Sequence, residues 1–427
     1  MTKEYSIETK CIQSGYKPKN GEPRVLPLYQ STTFKYDSAD EVGKLFDLEM
    51  EGHMYSRISN PTLEALEEKI NDLEGGVGAV ATSSGQSAIT LAILTICEKG
   101  DNFITASNLY GGTVNLFNYT LKKLGIEARY IDINDERQDI EKLIDENTKL
   151  IYGETIGNPG VDVIDIEKFA NIAHDNNIPL ILDNTFATPV LCRPFDYGCD
   201  ILIHSTTKFL DGHASSVGGV VVDSGKFDWD NKRFSCLVDK DPSYHGLSYT
   251  ETFKEKAFIT KARTAYIRDI GFVMSPFNAY LTNMGMETLY IRMKKHCENA
   301  QKIAEYLENN DKVAWVKYPR LKSGENYELT EKYLKNGAGG IISFGLKGDA
   351  NIGKKFIDSL ELITLVVHVA DVRSHVLHPA SMTHRQLTEE EQKKAGIKPE
   401  QIRLSVGIED VEDIIRDLDQ AIESALK

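Results

Sequence analysis

"IPLILDNT" (residues 178–185) is a short apolar run that ends on a carboxylate, Asp183. Its surroundings give it a place. "KLIYGET" (149–155) and the amphipathic stretch "IEKFANIAHDNN" (166–177) precede it, and "DILIHSTT" (200–207) follows. Earlier, "GAVATS" leads into "GQSAITLAILTIC", and "NFITAS" into "TVNLFNYTLKKLG". Apolar strands alternating with amphipathic helices predict a mostly parallel sheet covered on both faces. In such sheets ligands gather at the carboxyl ends of the strands.

A chain of 427 residues exceeds one ordinary core, so two domains with connecting segments are expected. Residues 1–60 are polar, rich in turn formers and without a sustained period. They predict an extended arm that leans on something else. Residues 61–265 carry the strand–helix alternation. The helix at its start is spelled by "NPTLEALEEKINDLEGG", with Leu63, Leu66, Ile70 and Leu73 at spacings of three and four. Residues 266–427 form a smaller α+β part. Its long helix sets Leu289, Met293, Cys297, Ala300, Ile303, Ala304 and Leu307 on one side; "GGIISFGL", a helix near 352–360, "LITLVVHV" and a closing helix over 409–426 follow.

A net charge of −15 argues against nucleic-acid or anionic-membrane partners, leaving room for a local basic pocket. Six cysteines without a C-x-x-C pair suit reduced thiols. "MTKEYSIETK" lacks an apolar signal core, and "AITLAILTIC" is too short to cross a bilayer, so a cytoplasmic location is expected.

Individual motifs are weak. "ATSSGQSAI" (81–89) reads as an anion-binding helix start opened by Gly85, or as a plain N-cap. "GVGAVA" (76–81) nearly matches a dinucleotide fingerprint, but a helix precedes it and a strand follows, the reverse of the required order. That removes the main support for a nicotinamide oxidoreductase. Asp183 alone reads as a cap rather than a ligand group, and Lys208 in "HSTTKFL" (204–210) alone reaches solvent. His368, His375, His378 and His384 fit no zinc spacing, so no metal site is expected and hydrogen-bonding roles are.

Their coincidence is informative. The Gly85 turn, Asn158, Asp183 and the Ser205/Thr207/Lys208 group all fall at strand ends of one inferred sheet. An anion cradle, a buried carboxylate and a lysine together suit pyridoxal phosphate: the amine can bind its aldehyde, the carboxylate its ring nitrogen and the cradle its phosphate.

The whole chain is similar to the Cys/Met-metabolism family of pyridoxal-phosphate enzymes, fold type I. "YSRISNPT" (55–62), "SSGQSA" (83–88), "ETIGNP" (154–159), "LDNTFATP" (182–189), "HSTTKFLDGH" (204–213), "AFITKART" (257–264), "HPASMTH" (378–384) and "RLSVGIED" (403–410) carry the likeness. The resemblance implies that Lys208 holds the cofactor and then moves protons, with Asp183 on the ring nitrogen, Asn158 beside the ring hydroxyl and Tyr110 stacked on the ring. It implies a phosphate cup of Gly85, Gln86, Ser205 and Thr207, completed by Tyr55 and Arg57 from the neighbouring subunit. Arg403 matches the arginine that clamps the substrate carboxylate, where a planar guanidinium suits bidentate contact. The active unit would then be a homodimer, assembled further into a homotetramer.

Within the family the likeness is to the sulfhydrylases acting on O-acetylhomoserine. "ETIGNP" and the segment "DPSYHGLSYTETF" (241–253) resemble that subgroup, and Gly112 stands where methionine γ-lyases usually carry cysteine. The implied reaction is γ-replacement of acetate by sulfide or methanethiol, giving homocysteine or methionine. Tyr55 and His368 are expected near the substrate together with Arg403. Sister chemistries are O-succinylhomoserine sulfhydrylase, cystathionine γ-synthase or γ-lyase, and methionine γ-lyase. Two departures mark the loop before "HPAS": His368 where Ser or Asn is usual, and Ala370 where Gly is common.

Overall fold

The computed structural model describes residues 5–348, 350–383, 385, 388, 390, 392 and 396–427. His384 lies outside them. A seven-stranded sheet comprises β1 (Gly78–Thr82), β2 (Asn102–Ala106), β3 (Glu127–Ile131), β4 (Thr148–Glu154), β5 (Leu180–Asp183), β6 (Ile201–His204) and β7 (Gly219–Asp223). Its order is β1-β7-β6-β5-β4-β2-β3, and only β7 runs antiparallel to its neighbours. β2, β5, β6 and β7 are buried almost throughout, as expected of strands covered on both faces.

β7 is the strand that the alternation did not anticipate. It wedges between β1 and β6 in register with both, pairing Val220 with Ala81 and with His204. The carboxyl ends of β1, β6, β5, β4 and β2 still share one edge, where all five connections carry cleft residues.

The helix Pro61–Glu74 begins where the sequence places it. The Asn60 side chain accepts from the Thr62 N–H, Pro61 occupies the first turn, and Gly75 closes the helix. Leu63, Leu66, Ile70 and Leu73 are all buried. The chain before it is less extended than its composition suggests: Ile7–Gln13 and Ala39–Phe46 are helical, and Cys11 is buried in the main core. Arg263 secures the base of this segment. Its guanidinium donates to the Ile58 carbonyl (3.1 Å), to Glu67 (2.6 Å) and to the Ala79 carbonyl (3.0 Å).

The second sheet comprises β8 (Val313–Lys317), β9 (Ile341–Leu346), β10 (Thr364–Leu365), β11 (His375–Leu377) and β12 (Gln401–Ser405), in the order β10-β11-β12-β9-β8. All seven apolar positions named for the long helix are buried along Leu289–Glu308. Each contributes about 1.5–3 kcal/mol of burial where the side chain is large. "LITLVVHV" keeps only two residues as strand, and Val367 is 77% exposed beside the sheet edge.

Candidate active site

β6 ends at His204, and a tight turn brings Lys208 back over the strand ends. The Gly212 N–H donates to the Lys208 carbonyl at 2.7 Å. Gly212 has φ +70°, and a Cβ there would strike the Arg292 guanidinium at 2.1 Å, so this turn needs glycine on both counts. Arg292, buried on the long helix, donates to the Phe209 carbonyl (2.7 Å) and the Gly285 carbonyl (2.8 Å). The lysine turn is thus held by a cation from the C-terminal part of the chain.

The Lys208 amine makes one hydrogen bond among the described residues, with His368 Nδ1 at 3.2 Å. Burial, with the Arg403 charge nearby, holds its pKa down to about 8. Arg403 projects from β12 and is itself buried, which lowers its pKa to about 10. It donates to Asn158 Oδ1 (3.0 Å) and to the His368 carbonyl (3.1 Å), while its Nε is buried without a partner. A guanidinium fixed at two corners with an unpaired N–H suits an incoming carboxylate.

Asp183, ending β5, accepts from the Thr185 N–H at 2.9 Å and forms no salt bridge with a Lys or Arg among the described residues. Burial raises its pKa, opposed by the Thr185 hydrogen bonds and by the His204 charge. Beside it, Glu154 ends β4; its two oxygens accept from the Tyr110 N–H (2.8 Å) and the Asn158 N–H (3.0 Å). Glu154 was not singled out in the sequence, although "ETIGNP" places a carboxylate at a buried strand end. Its meaning depends on the register Glu154↔Asp183 between β4 and β5, which sequence spacing does not give.

Ten of the twelve expected site residues line one cleft: Gly85, Gln86, Tyr110, Asn158, Asp183, Ser205, Thr207, Lys208, His368 and Arg403. Tyr55 and Arg57 do not. Both are exposed on the segment before helix Pro61–Glu74, with the Arg57 guanidinium 5.5 Å from the Tyr55 ring centre. Two details differ from a simple cup of hydroxyls. The Thr207 hydroxyl is engaged with the Gly218 backbone in both directions, at 3.1 and 3.0 Å, whereas the Ser205 hydroxyl has no hydrogen bond among the described residues. Ala370 is buried at φ +67°, the left-handed region that favours glycine, which accounts for the usual residue there.

These features fit pyridoxal phosphate. A buried carboxylate on the cleft wall, without a Lys or Arg partner among the described residues, calls for a protonated ring nitrogen. Gly85 opens a twelve-residue helix, and a Cβ on it would meet Ser205 Cβ at 2.7 Å, so any larger residue would close the gap between helix start and hydroxyl. Among the described residues, the grouping with metal-like proximity is His368, Asp371 and His375, whose candidate ligand atoms lie within 4.8 Å of one another. Arg373 already binds both Asp371 oxygens, and Lys208 and Arg403 add positive charge, a setting that repels a cation.

Comparison with known proteins agrees with this geometry. An O-acetyl-L-homoserine sulfhydrylase from Leptospira meyeri is 43% identical, covering 99% of this chain and 98% of its own. A homocysteine synthase from Schizosaccharomyces pombe is 44% identical, covering 98% of each. A Campylobacter jejuni crystal structure assigned as an O-acetylhomoserine (thiol)-lyase, holding a pyridoxyl-lysine monophosphate, superposes with a TM-score of 0.95 at 38% identity, over 98% of this chain and 100% of that one. A cystathionine γ-lyase from Lactobacillus plantarum gives a TM-score of 0.84 at 31% identity, over 99% and 100%. The profile of one family spans residues 8–423, nearly the whole chain. By sequence and by architecture, the chain belongs to the Cys/Met metabolism PLP-dependent enzymes.

Proposed function

We propose that this protein is a transferase that replaces the acetate of O-acetyl-L-homoserine with sulfide, releasing L-homocysteine, or with methanethiol, releasing L-methionine. The observation that carries the reading is the convergence of Lys208, Asp183 and Arg403 on one cleft. The full-length likeness to sulfhydrylases and a homocysteine synthase supports the choice of ester. Gly112 supports it against methionine γ-lyase.

When bound, pyridoxal phosphate supplies a carbon that captures amines and a ring that accepts the electron pair left by a departing proton. Lys208 would hold it covalently, Asp183 would keep its ring nitrogen protonated, Asn158 would meet its ring hydroxyl and Tyr110 would stack on it. Gly85, Gln86, Ser205 and Thr207 would receive its phosphate. In this reading the three-part division at residues 60 and 265 is functional: Tyr55 and Arg57 of the arm reach the phosphate of a neighbouring subunit. The active unit is then a homodimer, paired into a homotetramer.

Arg403 receives the substrate carboxylate on its unpaired edge. Lys208, once its amine is free, would be the base that removes the α-proton. Its lowered pKa leaves roughly one amine in ten unprotonated at pH 7, far more than an ordinary lysine offers. Acetate leaves from Cγ, sulfide takes its place, and Lys208 returns the proton. Exclusion of water from the loaded cleft would suppress breakdown by hydrolysis. The expected location is the cytoplasm, where no disulfide is required: all six cysteines are free.

The test is homocysteine formation from O-acetyl-L-homoserine and sulfide, with O-succinyl-L-homoserine in parallel. Faster turnover of the acetyl ester is expected. Cleavage of L-methionine or cystathionine with neither ester reacting would overturn the assignment.

A further inference from the structure

Arg263 lies in the π-helical turn Ala262–Ile267, a wider winding found mostly as single-turn bulges at functional sites. Its guanidinium reaches three partners at once. Glu67, a carboxylate 6% exposed, takes one N–H at 2.6 Å, and its other oxygen accepts from the Ala81 N–H of β1 at 2.7 Å. The Ala79 carbonyl of the same strand accepts at 3.0 Å, and the Ile58 carbonyl at 3.1 Å. Ile58 closes a tight turn, its N–H donating to the Tyr55 carbonyl at 2.9 Å. That turn displays Tyr55 and Arg57, both exposed. Among the described residues, its other hydrogen bonds stay inside the arm. They run from the Ser56 N–H to the Thr32 carbonyl (2.9 Å), from the Asn60 amide to the Ser56 hydroxyl (3.0 Å) and between Ser59 and His53 (3.0 Å), for example. Arg263 supplies the bond that joins the turn to the body of the chain.

The consequence rests on the reading above, in which Tyr55 and Arg57 reach the phosphate of a neighbouring subunit. Ordering an exposed turn at the moment of binding costs conformational entropy, which weakens binding unless the turn is already held. We propose that Arg263 is a positioning residue for the neighbouring subunit's cofactor site, holding the Tyr55–Ile58 turn in the shape that meets that subunit's phosphate. Its contacts to its own chain's β1 matter less. β1 has support of its own, five residue pairs in register with β7 from Gly78↔Asp223 to Thr82↔Gly219. The turn has no such ladder, only the bridge Thr33↔Tyr55 within the arm. Loss of the Ile58 contact therefore loosens the arm and leaves the sheet edge in place. A guanidinium suits the task, because its planar fork serves Glu67, Ala79 and Ile58 together. A lysine ammonium is a point charge that can answer Glu67 without spanning all three.

Mixed assemblies show which subunit's site suffers. A trace of Lys208-bearing chain is equilibrated with a large excess of Lys208→Ala chain, and exchange is verified by mass, so nearly every lysine has a Lys208→Ala neighbour. Pyridoxal phosphate is titrated in, borohydride fixes it to the lysine, and the half-saturating free concentration is read from the mass adduct. With Arg263→Lys in the excess chain, half-saturation should rise by about 10-fold, the scale of one charged hydrogen bond. With Arg263→Lys in the lysine-bearing chain, it should stay at the control value. Arg263→Lys keeps a cation beside buried Glu67. The pair Glu67→Gln with Arg263→Gln removes anion and cation together, and should give the same asymmetry if the lysine variant proves unstable. An effect confined to the lysine-bearing chain, or equal in both positions, would overturn the proposal. Arg57→Ala in the excess chain separates it from the reading beneath. A rise with Arg57→Ala and none with Arg263→Lys sinks the proposal alone, whereas no rise with either sinks the shared site as well.

Discussion

Glu154 and Asp183 stand opposite each other at the carboxyl ends of β4 and β5, in register, with both carboxyls buried. Burial raises both pKa values, and the Asp183 charge lifts Glu154 well above the usual range. Asp183 is partly relieved by Thr185 and His204, so the negative charge settles on Asp183. Glu154 instead orients its neighbours, fixing the Tyr110 and Asn158 backbones. Glu154→Gln puts an amide N–H against one of those donors. A buried donor left unpaired costs about 1–3 kcal/mol, so cofactor affinity should fall by about 10-fold or more in a binding titration. Asp183→Asn should keep more of the binding and lose more of the turnover, because it removes the charge and leaves the shape.

Lys208→Ala should abolish covalent cofactor attachment, read as loss of the mass adduct and its visible absorbance, with the fold intact. The backbone bond from Gly212 to the Lys208 carbonyl does not need the side chain. In wild-type protein freed of cofactor, the rate of cofactor capture should rise with pH and level off above about 8. The lowered pKa means the reactive free amine is half populated there, not near the ordinary lysine value. A midpoint above 10 in rapid-mixing kinetics would contradict the buried setting of the amine.

Arg57 is exposed and away from the cleft of its own chain. If it serves a neighbouring subunit, Arg57→Ala should weaken cofactor binding by about 10-fold, the scale of one charged hydrogen bond. Mixing it with Lys208→Ala should recover activity, because some mixed dimers contain one intact site. Absence of recovery, with subunit exchange verified by mass, would place Arg57 outside the site.

Gly112 lies under the Tyr110 ring, and a Cβ there would meet its Cε1 at 2.5 Å. Gly112→Cys should therefore push the ring aside. A red or blue shift of the bound-cofactor absorbance and at least about a fivefold loss of sulfhydrylation are expected, on the scale of 1 kcal/mol of lost positioning. An unchanged spectrum would show that the ring moves without consequence.

His296 is buried in the C-terminal part, donating Nδ1–H to the Val406 carbonyl at 2.7 Å, with burial holding its pKa near 4. The unfolded chain, with an ordinary value near 6.5, takes up a proton over that interval and the folded one does not. Stability should therefore fall as pH drops from 6.5 toward 4, by up to about 3 kcal/mol for this group. Denaturant unfolding of wild type and His296→Gln over that range checks it: the variant, which keeps a donor, should lose less.

Helix Pro61–Glu74 and the long helix Leu289–Glu308 were legible because their apolar period and caps are local properties. β5 and β6 were legible because short apolar runs ending on Asp183 and His204 admit few other readings. The strand ends therefore named Lys208, Asp183, Asn158 and Gly85 in advance, and family likeness added Tyr110 and Arg403. The insertion of β7 between β1 and β6 was not legible, since strand order follows from long-range pairing rather than from spacing. Glu154 becomes informative only once register sets it beside Asp183, and Arg292 only once packing carries it under the Lys208 turn. His368 stood out in the sequence as an unusual residue. That its Nδ1 faces the Lys208 amine was decided by the tertiary structure, because residues 160 positions apart meet only when both sheets close on one cleft.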